Sequence, residues 1–415
     1  MKYKVICLLL LISVVFGMFG CTAKVQAADL TKDIQARNVS ERAVDDSFRN
    51  AQLGLAVKLL QASAQEDKNE NILISPLSVQ LALSMTANGA AGNTLSEMET
   101  VLSGGIPIAQ MNEYLHTYMD SLPSGDGYKV KLANSIWFRD DEGRLTVEKD
   151  FLQKNADYYG AQIYKTPFDD TTLTDINNWV NRNTDGMIDK LLDEIRDETV
   201  MYLINALVFD ARWETAYEKF AVYNGTFTDI SGKESTVEFM HSDEFKYISD
   251  SNATGFIKDY KDGKYSFAAL LPNEDLDLYE YISGLTPEGL SETLNSVQIG
   301  MVLTALPKFT YDYTVVMNDM LKNMGMPSAF NGSEADLSKL GHSTYGNLYI
   351  GEVLHKTFIS VDELGTKAGA VTSVAINDEC AVMYEWEVNL DRPFVYMILD
   401  NATNLPIFIG AVTNL

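Results

Sequence analysis

Cysteine is almost absent from this 415-residue chain. Cys7 and Cys21 fall at the very start and only Cys380 lies in the body, so no intrachain disulfide staples the domain. Histidine is as sparse: His116, His241, His342 and His355 are far apart, with no ligand spacing for a metal. No metal and no cofactor is therefore expected. Basic residues are outnumbered, with 32 Lys and Arg against 58 Asp and Glu and a formal net charge of −26. Such an excess argues against nucleic acid, whose phosphates would be repelled, and against electrostatic docking on anionic lipid. It permits steering towards a basic partner. A Gly-x-Ser-x-Gly elbow, a phosphate-binding glycine loop and a Cys-x-x-Cys pair are all missing. A dispersed Ser/His/Asp triad is recognised only by geometry, and nothing in the sequence favours one. The chain reads as a non-enzyme.

Long apolar runs are missing too, except at residues 5–19. That run follows Lys2 and Lys4 and is too short and wrongly flanked for a membrane span, so residues 1–20 read as an export signal. Met18-Phe19-Gly20-Cys21 resembles a bacterial lipoprotein box, with Cys21 taking the lipid. Val25-Gln26-Ala27 offers plain cleavage before Ala28 instead. The lipidation reading is preferred, and the product is a cell-surface lipoprotein or a secreted protein. Residues 21–41 are polar and read as a tether. Residues 42–415 show no repeat, linker or second domain and are long enough to bury one large core.

Periodicity predicts a helix over residues 42–64. Residues 71–78 then give a short strand, a cap and a proline at a helix start, and 79–91 are apolar almost all round, as in a buried helix. Strands are expected at 131–138 and at 202–209, the latter apolar enough to be covered on both faces. Between them lie a helix at 151–160, an extended segment at 161–168 and a helix at 176–192. Residues 226–271 read as several antiparallel strands, and 394–399 and 406–412 close the chain as apolar strands.

The most informative stretch is 363–382. From Thr366 to Val374 the side chains are small or β-branched, which suits a strand packed closely on both faces. Lys367 sets the parity, since lysine is almost never buried unpaired; Thr366, Ala368, Ala370, Thr372 and Val374 would share the inward face. Residues 377–380 are polar and turn-prone. Taken alone this is a hairpin with a long loop. Its flanks change the reading: Leu354-His355-Lys356-Thr357-Phe358 upstream, Arg392-Pro393-Phe394 downstream.

Together these segments resemble the serpins, in which a Glu-x-Gly-Thr hinge, an alanine-rich run and a bait lie between a His-Lys strand and an Arg-Pro-Phe strand. Asn71 to Ser78 matches the family's Asn-x-x-x-Ser-Pro-x-Ser, and 176–192 is similar to its Ile-Asn-x-Trp-Val helix. Asp210-Ala211 stand where family strands often have Lys-Gly, and Lys367 and Gly369 replace the usual Glu and Ala. The likeness covers residues 42–415.

The resemblance implies an α+β serpin fold: a large central, mostly antiparallel sheet able to accept an extra strand, further sheets, and about eight or nine helices. It also implies a reactive-centre loop at 365–390, with hinge residues Glu363, Gly365, Thr366, Lys367, Ala368, Gly369 and Ala370. Ser75, Ser78, Asn205 and His355 would form a shutter network, with Trp213 and a Lys308–Glu363 pair near the top of the sheet. The implied activity is suicide inhibition of a protease by a monomer, through a covalent acyl-enzyme and loop insertion. A non-inhibitory carrier or chaperone, and an inhibitor of cysteine proteases, are the alternatives within the family. A substrate-binding lipoprotein is the alternative outside it.

Counting forward from Gly365 puts the scissile bond at Glu379–Cys380, and counting back from Pro393 puts it at Val382–Met383. Cys380, Ala381 and Val382 are preferred. No Lys or Arg occurs at 368–391, so trypsin-like enzymes are not expected targets; elastase-like or subtilisin-like enzymes suit the small residues. Cys380 has no neighbouring cation to stabilise a thiolate and reads as a small hydrophobe.

Overall fold

A computed structural model describes residues 27–140, 144–366 and 383–415. In chain order the first half comprises β1 (Ala28–Asp29), α1 (Asp46–Glu66), β2 (Ile72–Ile74), α2 (Pro76–Ala87), α3 (Gly92–Ser103), α4 (Ile108–Ser121), β3 (Tyr128–Arg139), β4 (Leu145–Val147), α5 (Lys149–Tyr159), β5 (Gln162–Thr166), α6 (Asp170–Asn183) and β6 (Met201–Arg212). The second half holds β7 (Val222–Thr228), β8 (Glu234–Ser249), β9 (Ala253–Asp259), β10 (Tyr265–Pro272), α7 (Leu278–Gly284), α8 (Pro287–Asn295), β11 (Gln298–Pro307), β12 (Phe309–Val316), α9 (Asn318–Met324), β13 (Gly341–Ser343), β14 (Leu354–Asp362), β15 (Gly365–Thr366), β16 (Trp386–Asn389), β17 (Phe394–Asp400) and β18 (Leu405–Val412).

Two sheets carry the architecture. The seven-stranded one runs β1-β5-β3-β6-β15-β14-β12, and the nine-stranded one runs β16-β11-β8-β9-β10-β17-β18-β2, with β7 also on β8. In the first, only the β3–β5 pairing is parallel. One core fills the space between them, and the Tyr311 and Tyr396 hydroxyls meet there at 2.6 Å. A second core, with Ile204 and Ala206 of β6 against Ile176, Trp179 and Val180 of α6, covers the other face. Strand β6 thus has an apolar layer on each face, which is why its sequence is a nearly unbroken apolar run.

Local chemistry sets the ends of the elements. Asp45 caps α1 by accepting the Phe48 N–H at 3.0 Å, so the helix begins four residues later than periodicity alone suggests. Ser75 caps α2, with Pro76 in its first turn. The helix expected to reach residue 192 stops at Asn183, because Asp185 (φ 51°) and Gly186 (φ 77°) turn left-handed. At Asp210-Ala211 no turn intervenes; β6 continues to Arg212.

The polar tether expected at 21–41 needs correction from Ala27 onward. There the chain lies along the edge of the seven-stranded sheet, Ala28 opposite Lys165 and Asp29 opposite Tyr164. The Ala27 N–H donates to Asp175 at 2.9 Å, and the Arg37 guanidinium pairs with the buried Asp157 at 2.8 Å. Composition conceals this, since most of the attachment runs through backbone and one arginine. Residues 1–26, with the expected export signal and Cys21, lie outside the described residues.

Candidate functional site

The site is a lane in the seven-stranded sheet. Strand β15 is two residues long, yet it pairs antiparallel with both neighbours: Thr366 opposite Val361 and Ala211, Gly365 opposite Asp362 and Arg212. Below Thr366, β6 is laddered on one side to β3 and β14 on one side to β12. No pairing between β6 and β14 themselves occurs among the described residues.

The hinge foot is built by a tight turn and by the start of the segment after β6. Asp362 accepts the Leu364 and Gly365 N–H groups at 2.8 and 3.2 Å, an Asx turn. The Trp213 indole donates to the Asp362 carbonyl at 2.8 Å, its backbone N–H to Leu364 at 2.9 Å, and the Tyr217 N–H to Glu363 at 3.0 Å. Gly365 is required by close approach: a Cβ there would stand 2.1 Å from the Ala211 carbonyl oxygen. Thr366 is buried, and its hydroxyl meets that of Tyr260, on which Trp213 stacks at 4.5 Å. The hinge's first inward residue is already inside the sheet.

Lys308 stands 2.9 Å from Glu363 and 3.3 Å from Glu238. Its proximity lowers the Glu363 carboxyl below the usual carboxylate range. All three side chains are partly exposed, so the cluster contributes on the order of 1 kcal/mol or less.

Lower down, a polar relay crosses from β14 to β3 through the start of α2. The Ser75 N–H donates to His355 Nε2 at 3.2 Å, and Ser75 Oγ accepts the Ser78 N–H at 3.2 Å. Ser78 Oγ donates to Asn205 Oδ1; Asn205 Nδ2 donates to Asn134 Oδ1 at 2.8 Å, and Asn134 Nδ2 to the Tyr159 carbonyl at 2.8 Å. All four residues expected in the network lie on it. Asn134, which sequence reasoning missed, extends it by two bonds; the strand at 131–138 is expected from the sequence, but nothing local marks this asparagine.

Burial pushes the His355 imidazole down to about 4. The unfolded group titrates near 6.5, so below that pH the unfolded chain binds the extra proton and the native state loses stability. The loss should develop between about pH 6.5 and 4 and reach roughly 3 kcal/mol. Protonated Nε2 cannot accept the Ser75 N–H. Denaturation midpoints measured across this range should show a wild-type slope that His355→Gln largely lacks; equal slopes would remove His355 from the relay.

Of the remaining expected site residues, Lys367, Ala368, Gly369, Ala370, Glu379, Cys380, Ala381 and Val382 lie outside the described residues. Met383 is exposed at the foot of the returning segment, where the Tyr384 hydroxyl donates to Asp243 at 3.0 Å.

A seven-stranded sheet in which, among the described residues, β6 and β14 are joined only through Gly365–Thr366, with a polar relay below, narrows the class of protein. The family model for serpins (serine protease inhibitors) matches residues 50–415, and the chain belongs to that family. The leukocyte elastase inhibitor of Homo sapiens is 28% identical over 380 residues, covering 88% of this chain and 98% of that one. The native state of tengpin, a thermophilic serpin, is 51% identical, with a TM-score of 0.89 over 94% of this chain and 100% of that one. Tengpin's latent state, at the same identity, gives 0.81 over 90% of this chain and 100% of that one.

Proposed function

We propose that this chain is a monomeric suicide inhibitor of elastase-like or subtilisin-like serine proteases. The protease serine attacks the carbonyl of a bait bond within 379–383, the peptide nitrogen leaves with a proton, and an acyl-enzyme ester remains. The freed hinge segment then inserts between β6 and β14, carrying the protease with it. About fourteen residues at ~3.3 Å each move the tethered enzyme ~45 Å. Distortion of its catalytic site stalls hydrolysis of the ester.

The observation that supports this reading is the double pairing of Gly365–Thr366. Each further step along the loop moves one residue back along both neighbours, so continuing the register sets Ala368 between Ile359 and Phe209, Ala370 between Thr357 and Leu207, and Thr372 between His355 and Asn205. Small residues thus come to the larger ones, and Thr372 meets the polar relay. The human relative is a leukocyte elastase inhibitor, a target class that agrees with the small bait residues.

Mixed with pancreatic elastase or subtilisin, the protein should form an SDS-stable covalent complex, and the released peptide should begin within 380–383 by mass spectrometry. Trypsin should form none. A cut at Arg392 or Lys367, or no stable complex with either protease, would overturn the reading and leave a carrier role. On the same proposal residues 1–20 direct export and Cys21 carries a lipid, so the inhibitor works at the cell surface. Cys21→Ser should move it from the membrane fraction to the soluble fraction, and an unchanged distribution would refute lipidation.

A further inference from the structure

Beneath the hinge foot a lysine is buried. Lys258 of β9 is 3% exposed. Its Nζ donates to Glu244 Oε1 at 2.6 Å, and Ser242 Oγ donates to the same oxygen at 2.6 Å. The ammonium also lies 4.3 Å from the centroid of the Tyr217 ring and 5.6 Å from that of Trp213, within reach of both π faces. A buried ion pair seldom stabilises a fold more than apolar side chains of equal volume.

The two rings under the ammonium belong to the residues that bond the segment at 362–364. The Trp213 indole donates to the Asp362 carbonyl, while the backbone N–H groups of Trp213 and Tyr217 donate to the Leu364 and Glu363 carbonyls. The rings meet edge to face at 6.2 Å, and Trp213 stacks on Tyr260, whose hydroxyl meets Thr366. From Glu244 through Lys258 and the rings to Thr366, every link is a direct contact.

We infer that Lys258, anchored by Glu244, is a positioning residue for loop insertion: it pins the Trp213 and Tyr217 rings so that Gly365–Thr366 stay seated as the first rung of the incoming strand. The inference rests on the inhibitory reading proposed above. Without the cation the rings gain freedom and the seat loosens. Insertion then starts later after cleavage, and more of the acyl-enzyme hydrolyses before it is trapped.

The test is the stoichiometry of inhibition against pancreatic elastase or subtilisin, together with the unfolding midpoint. Lys258→Met alone strands the Glu244 carboxylate and should lower the midpoint, so it is combined with Glu244→Gln. The double variant should keep the midpoint near wild type while at least threefold more inhibitor is consumed per protease trapped. Lys258→Arg, which keeps the cation, should return the stoichiometry towards wild type. Tyr217→Phe should be silent and Tyr217→Leu should raise the stoichiometry like the double variant, so the question stays answerable if one variant does not fold. Wild-type stoichiometry in the double variant or in Tyr217→Leu overturns this inference alone. If the wild-type protein itself traps neither protease, the inhibitory reading fails and takes this inference with it.

Discussion

Thr366→Arg is expected to turn the inhibitor into a substrate. Thr366 is 2% exposed, between Val361 and Ala211, with its hydroxyl against Tyr260. An arginine there would bury an unpaired guanidinium, at a cost of several kcal/mol, so the hinge would leave the sheet before any protease arrives. The bait is untouched, and acylation should proceed. Insertion would lose its first rung and fall behind hydrolysis of the ester, so protease should be recovered active alongside cleaved protein, with no SDS-stable complex. Undiminished trapping by Thr366→Arg would mean that strand insertion is not the mechanism. Lys367→Glu is a finer probe. Parity alone makes it nearly silent, but the continued register sets residue 367 opposite Asp210 and Ser360. A glutamate would then face a carboxylate, a cost of at most about 1 kcal/mol, and trapping efficiency should fall slightly.

Trp213→Ala should produce the largest loss of native stability. The indole is 3% exposed, stacks on Tyr260, meets Phe267 edge to face at 5.9 Å, and bonds the Asp362 carbonyl. Truncating a buried tryptophan typically costs about 3–5 kcal/mol, or roughly 5–10 °C in the unfolding midpoint of a domain this large. The hinge foot would lose two anchors at once, the indole hydrogen bond and the platform under Tyr260. A midpoint within about 2 °C of wild type would show that the seat is held by the backbone bonds alone.

Much of this site was legible because its chemistry is local. Lys367 fixed the parity of the hinge, and the inward position of Thr366 agrees with it. Ser75 read as a cap because Pro76 follows it, and the capping bond and the relay share that one serine. The Lys308–Glu363 pair came from resemblance alone, since the two residues are 55 apart in sequence and nothing local joins them.

What escaped sequence reasoning depends on tertiary placement. Asn134 lies in a strand expected from the sequence, but its partners Asn205 and Tyr159 are brought to it only by the fold. Lys258 carries no sequence signal of its own, because alternation cannot reveal that Glu244 and two aromatic rings meet its ammonium. The segment from Ala27 looked like solvent-exposed linker, because an edge strand held by backbone bonds leaves little mark on side-chain composition. The end of α6 escaped for a different reason: apolar residues recur beyond Asn183 at helical spacing, and the left-handed turn at Asp185 and Gly186 breaks the helix regardless.

Inhibition by insertion requires the cleaved loop to fill the lane between β6 and β14, which amide hydrogen exchange before and after bait cleavage would detect. Among the described residues, each of these strands is laddered on its lane side only to Gly365 and Thr366. After cleavage by a protease that is then removed, protection should rise along Leu354–Asp362 and Met201–Arg212 together, at the positions facing the lane, with β3 and β12 little changed. If both strands exchange at the same rates before and after cleavage, the loop has not entered the sheet, and inhibition by insertion is contradicted.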